Sequence, residues 1–361
     1  MTRLSVKALT LITLALTLLI SLFSKANALE FSEHFDGAMR IDGESTWIHA
    51  EGTFEKGDSK KFERFLEETN IWPNQRIVLN SGGGNVLEGI KIGTFIRKSG
   101  FRTAVAKSVK TGAFSEVKPG VCASSCVLAF AGGVERRAST GSRIGVHQMS
   151  RDYNNVARGT LVTFADLKSN MSLTQTFIGL ILTHYIQMGI DPKIISHMVG
   201  TSAEDIRWLT REEFKSTNLE LNPFIFSPWN IELWGRGIVA FSRSEDKKKQ
   251  LTLFCGKDKK MRFLLKIEGK PHFNSYTKHV QLDQFMVAGS KVSARAAKVQ
   301  VKDNALIISG PWSGSSKPSN YMSIFSIQGE VTGTVSDIYS LYSFNKTNFE
   351  QSAELARKNC V

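Results

Sequence analysis

The sequence predicts an α/β layered domain followed by a smaller, mainly β domain, and three observations predict it. Up to about Asn222, short apolar strands such as Arg76-Ile77-Val78-Leu79-Asn80 alternate with helical stretches, the pattern of a layered α/β unit. Beyond that point short alternating segments dominate: Ile238-Val239-Ala240-Phe241, Leu251-Thr252-Leu253-Phe254, Phe263-Leu264-Leu265-Lys266-Ile267 and Ala305-Leu306-Ile307-Ile308. Gly, Ser and Asn punctuate them, which predicts a β-sandwich or small barrel. Charge changes at the same place. The formal charge of the chain is +13, or +10 without its first 28 residues, and from Phe226 onward 20 Lys and Arg face 11 Asp and Glu. Nearly all the excess positive charge therefore lies in the C-terminal part.

These shifts divide the chain into residues 1–28, a domain over 29–222, a linker over 223–229 and a basic β-rich domain over 230–361. The first segment reads as a signal peptide. Arg3 and Lys7 form a basic start, Ala8 to Phe23 carry no charge, and Ala26-Asn27-Ala28 supplies the small-x-small pattern that signal peptidase accepts. The apolar run is shorter than the roughly 20 residues a spanning helix needs. The expected location is periplasmic or secreted, with a mature N-terminus at Leu29; the alternative is an uncleaved N-terminal membrane anchor. About 333 residues remain after cleavage, natural for two domains.

All four cysteines, Cys122, Cys126, Cys255 and Cys360, lie in the exported part, where disulfides form and persist. Four cysteines allow three connectivities. The favoured one joins Cys122 to Cys126 and Cys255 to Cys360. No histidine stands at ligand spacing from them, so no metal site is expected.

The chemistry lies in the first domain. Strand 76–80 runs into Ser81-Gly82-Gly83-Gly84-Asn85, and Val86 to Ser99 then reads as an amphipathic helix. Three glycines after a strand free backbone N–H groups to face a bound oxygen, although a tight turn alone also explains them. No Gly-Lys-Ser/Thr ending is present, so a phosphate loop is not indicated. Gly120-Val121-Cys122-Ala123-Ser124-Ser125-Cys126 leads into an apolar run that reads as the start of a buried helix. A serine there sits where unpaired N–H groups and the positive end of the helix dipole can stabilise an oxyanion. Capping the helix is its plainer role. Ser139 to Gln148 reads as a strand ending in His147.

In order and spacing these elements resemble the proteolytic subunit of the Clp protease and the wider Clp/crotonase superfamily. The strings are Leu79-Asn80-Ser81-Gly82-Gly83-Gly84, Cys122-Ala123-Ser124-Ser125 and Ser142-Arg143-Ile144-Gly145-Val146-His147-Gln148. The cysteine-flanked serine is most similar to exported Clp-like proteins of bacteria. The resemblance covers about Ile71 to Leu221 and implies stacked ββα units. It implies Ser124 as nucleophile, His147 as general base, and Gly84 with the N–H of Ser125 as oxyanion hole, Gly83 being the alternative to Gly84. The family's aspartate falls where Ile206 stands, and Asp205 is the neighbouring candidate. The stretch from Lys107 to Pro119 exceeds the family pattern and reads as a loop over the site or a solvated insertion. Phe164 to Met188 and Pro192 to Val199 resemble the family's oligomerising helices, which implies a homo-oligomer. The break between them is Gly189-Ile190-Asp191-Pro192.

The expected function is an exported serine hydrolase, a peptidase acting on envelope peptides or proteins through an acyl-enzyme and without a cofactor. The alternative is a catalytically weak or inactive Clp-like peptide-binding protein, suggested by the missing aspartate. An acyl-CoA enzyme is disfavoured because CoA substrates are cytoplasmic. The basic C-terminal domain is a candidate contact to an anionic envelope surface, or simply a solvated lysine-rich face. A nucleic-acid partner is not expected.

Overall fold

A computed structural model describes residues 28–36, 46–69, 75–149, 163–235, 237–268, 281–314, 325–331, 334–341, 345–358 and 360. Residues 1–27 of the expected signal peptide, 1–28, lie outside them. The chain divides into two compact units, Met1–Glu220 and Leu221–Val361, and it is mixed α/β with several sheets.

Unit 1 is built around β3 (Arg76–Gly84). On one side β2 (Thr46–Phe54) runs parallel along its length, with β1 (Glu30–Phe35) antiparallel beyond. On the other side the partner changes partway. Residues 76–79 pair in parallel with β4 (Arg102–Val105), which pairs with β8 (Arg136–Ala138). Ser81 instead pairs with Cys122 on β7 (Val121–Ala123), followed by β9 (Arg143–Val146) and antiparallel β10 (Arg207–Trp208). Asn80 sits at the branch. Its Oδ1 accepts from Val121 N–H at 2.9 Å and its Nδ2 donates to Glu51 at 2.7 Å, so one amide joins three strands.

Helices pack on this frame. α1 (Asp58–Thr69) precedes β3, and α2 (Val86–Ser99) follows it. The boundaries of α2 are those its sequence predicts. Asn85 caps it by accepting from Glu88 N–H, and Gly100 ends it at φ 73°. α3 (Ser125–Ala131) is buried at every position. α4 (Phe164–Gln187), α5 (Lys193–Val199) and α6 (Arg211–Ser216) complete the unit. Gly189, at φ 70°, lies in the expected break between α4 and α5.

Three chain reversals converge on Arg136, which is wholly buried. Its guanidinium donates to the carbonyls of Ala131, Gly133, Met188, Asn218 and Leu219, at the ends of α3, α4 and α6. Helix C-termini carry unpaired carbonyls and partial negative charge, so a cation satisfies all three without a carboxylate. Burial, with Arg97 nearby, lowers its pKa to about 9, still charged at neutral pH.

The stretch from Lys107 to Pro119 is an ordered hairpin of β5 (Lys107–Thr111) and β6 (Phe114–Lys118), not a loop over the site. It docks on β1 and β2 through its serines. Trp47 Nε1 donates to Ser108 Oγ at 2.8 Å, and His34 Nδ1 bonds Ser115 Oγ at 2.9 Å. Ser108 N–H donates to His49 Nε2 at 3.4 Å, which requires that nitrogen to be unprotonated.

Unit 2 holds β11 (Asn230–Trp234), β12 (Gly237–Arg243), β13 (Lys249–Cys255), β14 (Met261–Glu268), β15 (Gln281–Val287), β16 (Ser290–Ser293), β17 (Lys298–Lys302), β18 (Ala305–Pro311), β19 (Phe325–Val331) and β20 (Thr334–Leu341). One sheet runs β11-β12-β13-β14-β18-β17 and the other β16-β15-β19-β20. Phe263 and Leu265 of the first share a core with Phe285 and Val292 of the second. α7 (Phe349–Lys358) adds Phe349 and Ala353 to that core, and the Cys255–Cys360 disulfide ties the chain end to β13. Residues 223–229, expected as a linker, belong to this unit instead. Phe226 and Trp229 are buried in its core, and Ser227 N–H donates to Arg243. Burying two of the four large apolar side chains in these seven residues makes the segment part of a core rather than an exposed linker.

The hairpin makes unit 1 acid-sensitive. Burial holds the His49 imidazole at about 4, below its usual 6.5, against the pull of Glu51 and with the push of His34 and Lys107. His34 is also lowered, by burial and then Lys110, against Glu51. A histidine whose folded value is depressed binds fewer protons than in the unfolded chain, so its stabilisation is complete above pH 6.5 and lost toward pH 4. Across that window His49 accounts for about 3 kcal/mol. Urea titrations of unit 1 fluorescence at stepped pH should show this loss, and His49→Gln, which keeps an acceptor, should flatten most of it.

Candidate active site

The site lies at the carboxyl ends of β3, β7 and β9, where α/β sheets place ligands. β7 and β9 are parallel neighbours in the register Ala123↔Gly145, so Ser124 and His147 leave adjacent strands on the same edge. Both line one small pocket of about 20 Å³ together with Ser125 and the apolar side chains of Val86, Leu128, Val146, Ile181 and Met198. A wider groove of about 800 Å³ adjoins it through Val86 and Met149 and carries Gly84, Leu173, Phe177, Glu55 and Glu204.

Ser124 is the N-cap of α3, with φ 56° and ψ −126° and no capping hydrogen bond from its side chain. The plainer role for a first-turn serine is therefore unfilled. Positive φ is rare for a side-chain-bearing residue other than Asn or Asp, and where it persists the surroundings impose it. Here they are identifiable. Ser124 N–H donates to Gly145 at 3.0 Å and its carbonyl accepts from Val127 at 3.0 Å. The Cys122–Cys126 disulfide joins the residues two before and two after it. The sharp turn from strand to helix places Ser124 on the lining of the pocket.

Close packing leaves no slack around that turn. A Cβ on Gly83 would stand 2.6 Å from Ser124 Cβ and 2.8 Å from the Ala123 carbonyl, at a φ of 110° that disfavours any side chain. On α2, Gly89 and Gly93 let α3 approach so closely that a Cβ would run into the carbonyls of Ser125 and Leu128. Their four-residue spacing on one helix face was the legible signal for this packing. His184 of α4 completes the anchoring of α3 by donating from Nε2 to the Leu128 carbonyl at 2.9 Å.

Around His147 the arrangement departs from a full triad. Its Nδ1 is buried without a hydrogen-bond partner. Asp205 is exposed, and its carboxylate accepts from Ser202 Oγ at 3.1 Å. The register Arg207↔Val146 and Trp208↔Gly145, continued by one residue, brings Ile206 level with His147, and the Ile206 side chain lies over Gly145. No hydrogen bond joins Ser124 Oγ to His147 among the described residues; such contacts often tighten only when substrate binds. Of the two candidate glycines for the oxyanion hole, Gly83 already donates its N–H to Ser81 Oγ at 3.1 Å, whereas Gly84 lines the groove. The N–H of Ser125, in the first turn of α3, has no intrahelical acceptor.

Both predicted disulfide pairs form, which is compatible with an exported protein. No helix among the described residues is long and apolar enough to cross a membrane. Leu29, the expected mature N-terminus, is buried, with its carbonyl accepting from Lys61 Nζ at 2.7 Å. Neither family models nor the curated protein sequences give a match to this chain.

Gly83→Ala tests whether the packing holds Ser124 in place. The added methyl should displace the serine and slow its labelling by a fluorophosphonate at least tenfold, read by mass spectrometry, while circular dichroism stays unchanged.

Proposed function

We propose that this chain is an exported serine hydrolase of Clp/crotonase-like architecture, a peptidase acting through an acyl-enzyme. The observation that carries the proposal is the strained backbone of Ser124, held at a strand-to-helix turn in the same pocket as His147. Strain of this kind is maintained against a cost of about 1–3 kcal/mol, and a cap or a plain turn would not require it. The branching of β3 between two sets of strands, and the order of the three motifs along the chain, support the architecture.

In the proposed cycle Ser124 Oγ attacks the substrate carbonyl carbon while His147 takes the hydroxyl proton. The oxyanion accepts from the N–H groups of Ser125 and Gly84. His147 then returns the proton to the departing amine, and water, activated by the same imidazole, releases the acyl group. With Ile206 beside the histidine, the base works as a Ser–His dyad. The adjoining groove, which mixes apolar side chains with Glu55, Lys56, Asn170 and Glu204, is where the peptide or protein substrate extends from the reacting bond.

A homo-oligomer is part of the proposal. The N-terminal turns of α4 expose Phe164, Leu167 and Met171 at helical spacing, an apolar stripe suited to a second copy. For unit 2 we propose contact with an anionic envelope surface, supported by its excess of lysine and arginine and by Lys248, Lys266 and Lys302 lining one groove, although Glu268 and Asp303 interrupt them.

A peptide-hydrolysis assay on the mature protein tests the reading. Ser124→Ala should abolish turnover, and His147→Ala should come close to it because nucleophile and base act as a unit. Asp205→Asn should lose less than about threefold, as befits a carboxylate bonded to Ser202. Equal turnover in wild type and Ser124→Ala would favour the peptide-binding alternative.

A further inference from the structure

One polar group in the pocket has no role in the cycle above. The hydroxyl of Ser125 is 1% exposed at the residue level, and its oxygen has no hydrogen-bond partner. Buried hydroxyls are nearly always bonded, because leaving one unmet forfeits its hydration without replacement. Packing does not explain the residue either. The tight contact with α2 is made by Ser125 Cβ and its carbonyl, against Gly89, and alanine would supply both. The proposed catalysis asks Ser125 only for its backbone N–H, which alanine also supplies. Oγ is therefore an extra atom, buried on a residue that lines the pocket holding Ser124 and His147.

The rest of that lining limits what could meet it. Apart from Ser124, His147 and the phenol of Tyr185 it consists of Val86, Leu128, Val146, Met149, Ile181 and Met198, so the occupant has a largely hydrocarbon body. The volume of about 20 Å³ is little more than the 10–15 Å³ or so that one water requires, so the occupant is a short side chain. Because the pocket touches the nucleophile directly, it receives the side chain nearest the attacked carbonyl, on the acyl side of the scissile bond.

We propose that Ser125 Oγ is a specificity-determining group that hydrogen-bonds a hydroxyl on the substrate, so that the pocket selects threonine or serine at the acyl-side position over apolar residues of equal size. The proposal rests on the hydrolase reading and names its substrate class. A site built to bond a hydroxyl rejects the isostere lacking it, because its own buried group is then left unpaired, whereas a purely apolar pocket discriminates poorly between the two.

The test uses two peptidyl phosphonates identical except for threonine or valine at the acyl-side position, with the mature full-length protein. The rate of Ser124 labelling is followed by mass spectrometry for wild type and Ser125→Ala. Wild type should react about tenfold faster with the threonine probe, the worth of one hydrogen bond to a buried hydroxyl. In Ser125→Ala that ratio should fall to about one. The variant removes an unsatisfied group without opening a contact, so its melting temperature should not drop. A threonine-to-valine ratio that is the same in both proteins, whatever their absolute rates, would overturn the assignment, including the case in which Ser125 merely orients His147. No labelling of Ser124 by either probe would instead overturn the hydrolase reading and this inference with it.

Discussion

Between Cys122 on a buried strand and Cys126 on a buried helix the chain has one residue in which to reverse its hydrogen-bonding pattern. Ser124 absorbs the change, at φ 56° and ψ −126°. Nothing local favours that conformation, so everything around it must. The strand neighbour supplies an acceptor in Gly145, the disulfide closes the turn from below, and three glycines on β3 and α2 bring backbone to within contact of it. A single added methyl at any of these glycines meets backbone or the serine itself. The precision of the turn and the scarcity of side chains around it are therefore one constraint.

The polar core serves the same end at longer range. Arg136 holds the far end of α3, the end of α4 and the chain after α6 with one guanidinium. Asn80 holds the strand that ends in the site against its two neighbours. Hydrogen bonds to a charged donor are worth about 1.5–3 kcal/mol each when buried, and burial of the donor makes them hard to exchange for water. The helix that begins at Ser124 is thus fixed at both ends. The hairpin on β1 and β2 is fixed differently, through neutral imidazoles, and it is the part of the unit that acid should loosen first.

Much of this was legible in the sequence. The boundaries of α2 follow from Asn85 and Gly100, the break at Gly189 from proline and glycine chemistry, and the strands of unit 2 from alternation. The residues brought to one pocket, Ser124, Ser125 and His147, are ones that motif order singles out. What escaped depended on contacts distant in sequence. Lysines and serines at Lys107–Thr111 look solvated, and only Trp47 and His34, some 60 to 80 residues earlier, give Ser108 and Ser115 a buried partner. Residues 223–229 look like a linker by their two prolines, yet Phe226 and Trp229 have a core to enter.

The proposed hydrolase activity depends on the backbone amides around Ser124 being arranged for an oxyanion. Its most direct measurement is a crystal structure of the mature protein after reaction with a phosphonate. Phosphorus should be bonded to Ser124 Oγ, with a phosphoryl oxygen accepting from Ser125 N–H and Gly84 N–H and His147 within hydrogen-bond reach. An adduct on another residue, or one on Ser124 with that oxygen turned to solvent, would contradict it.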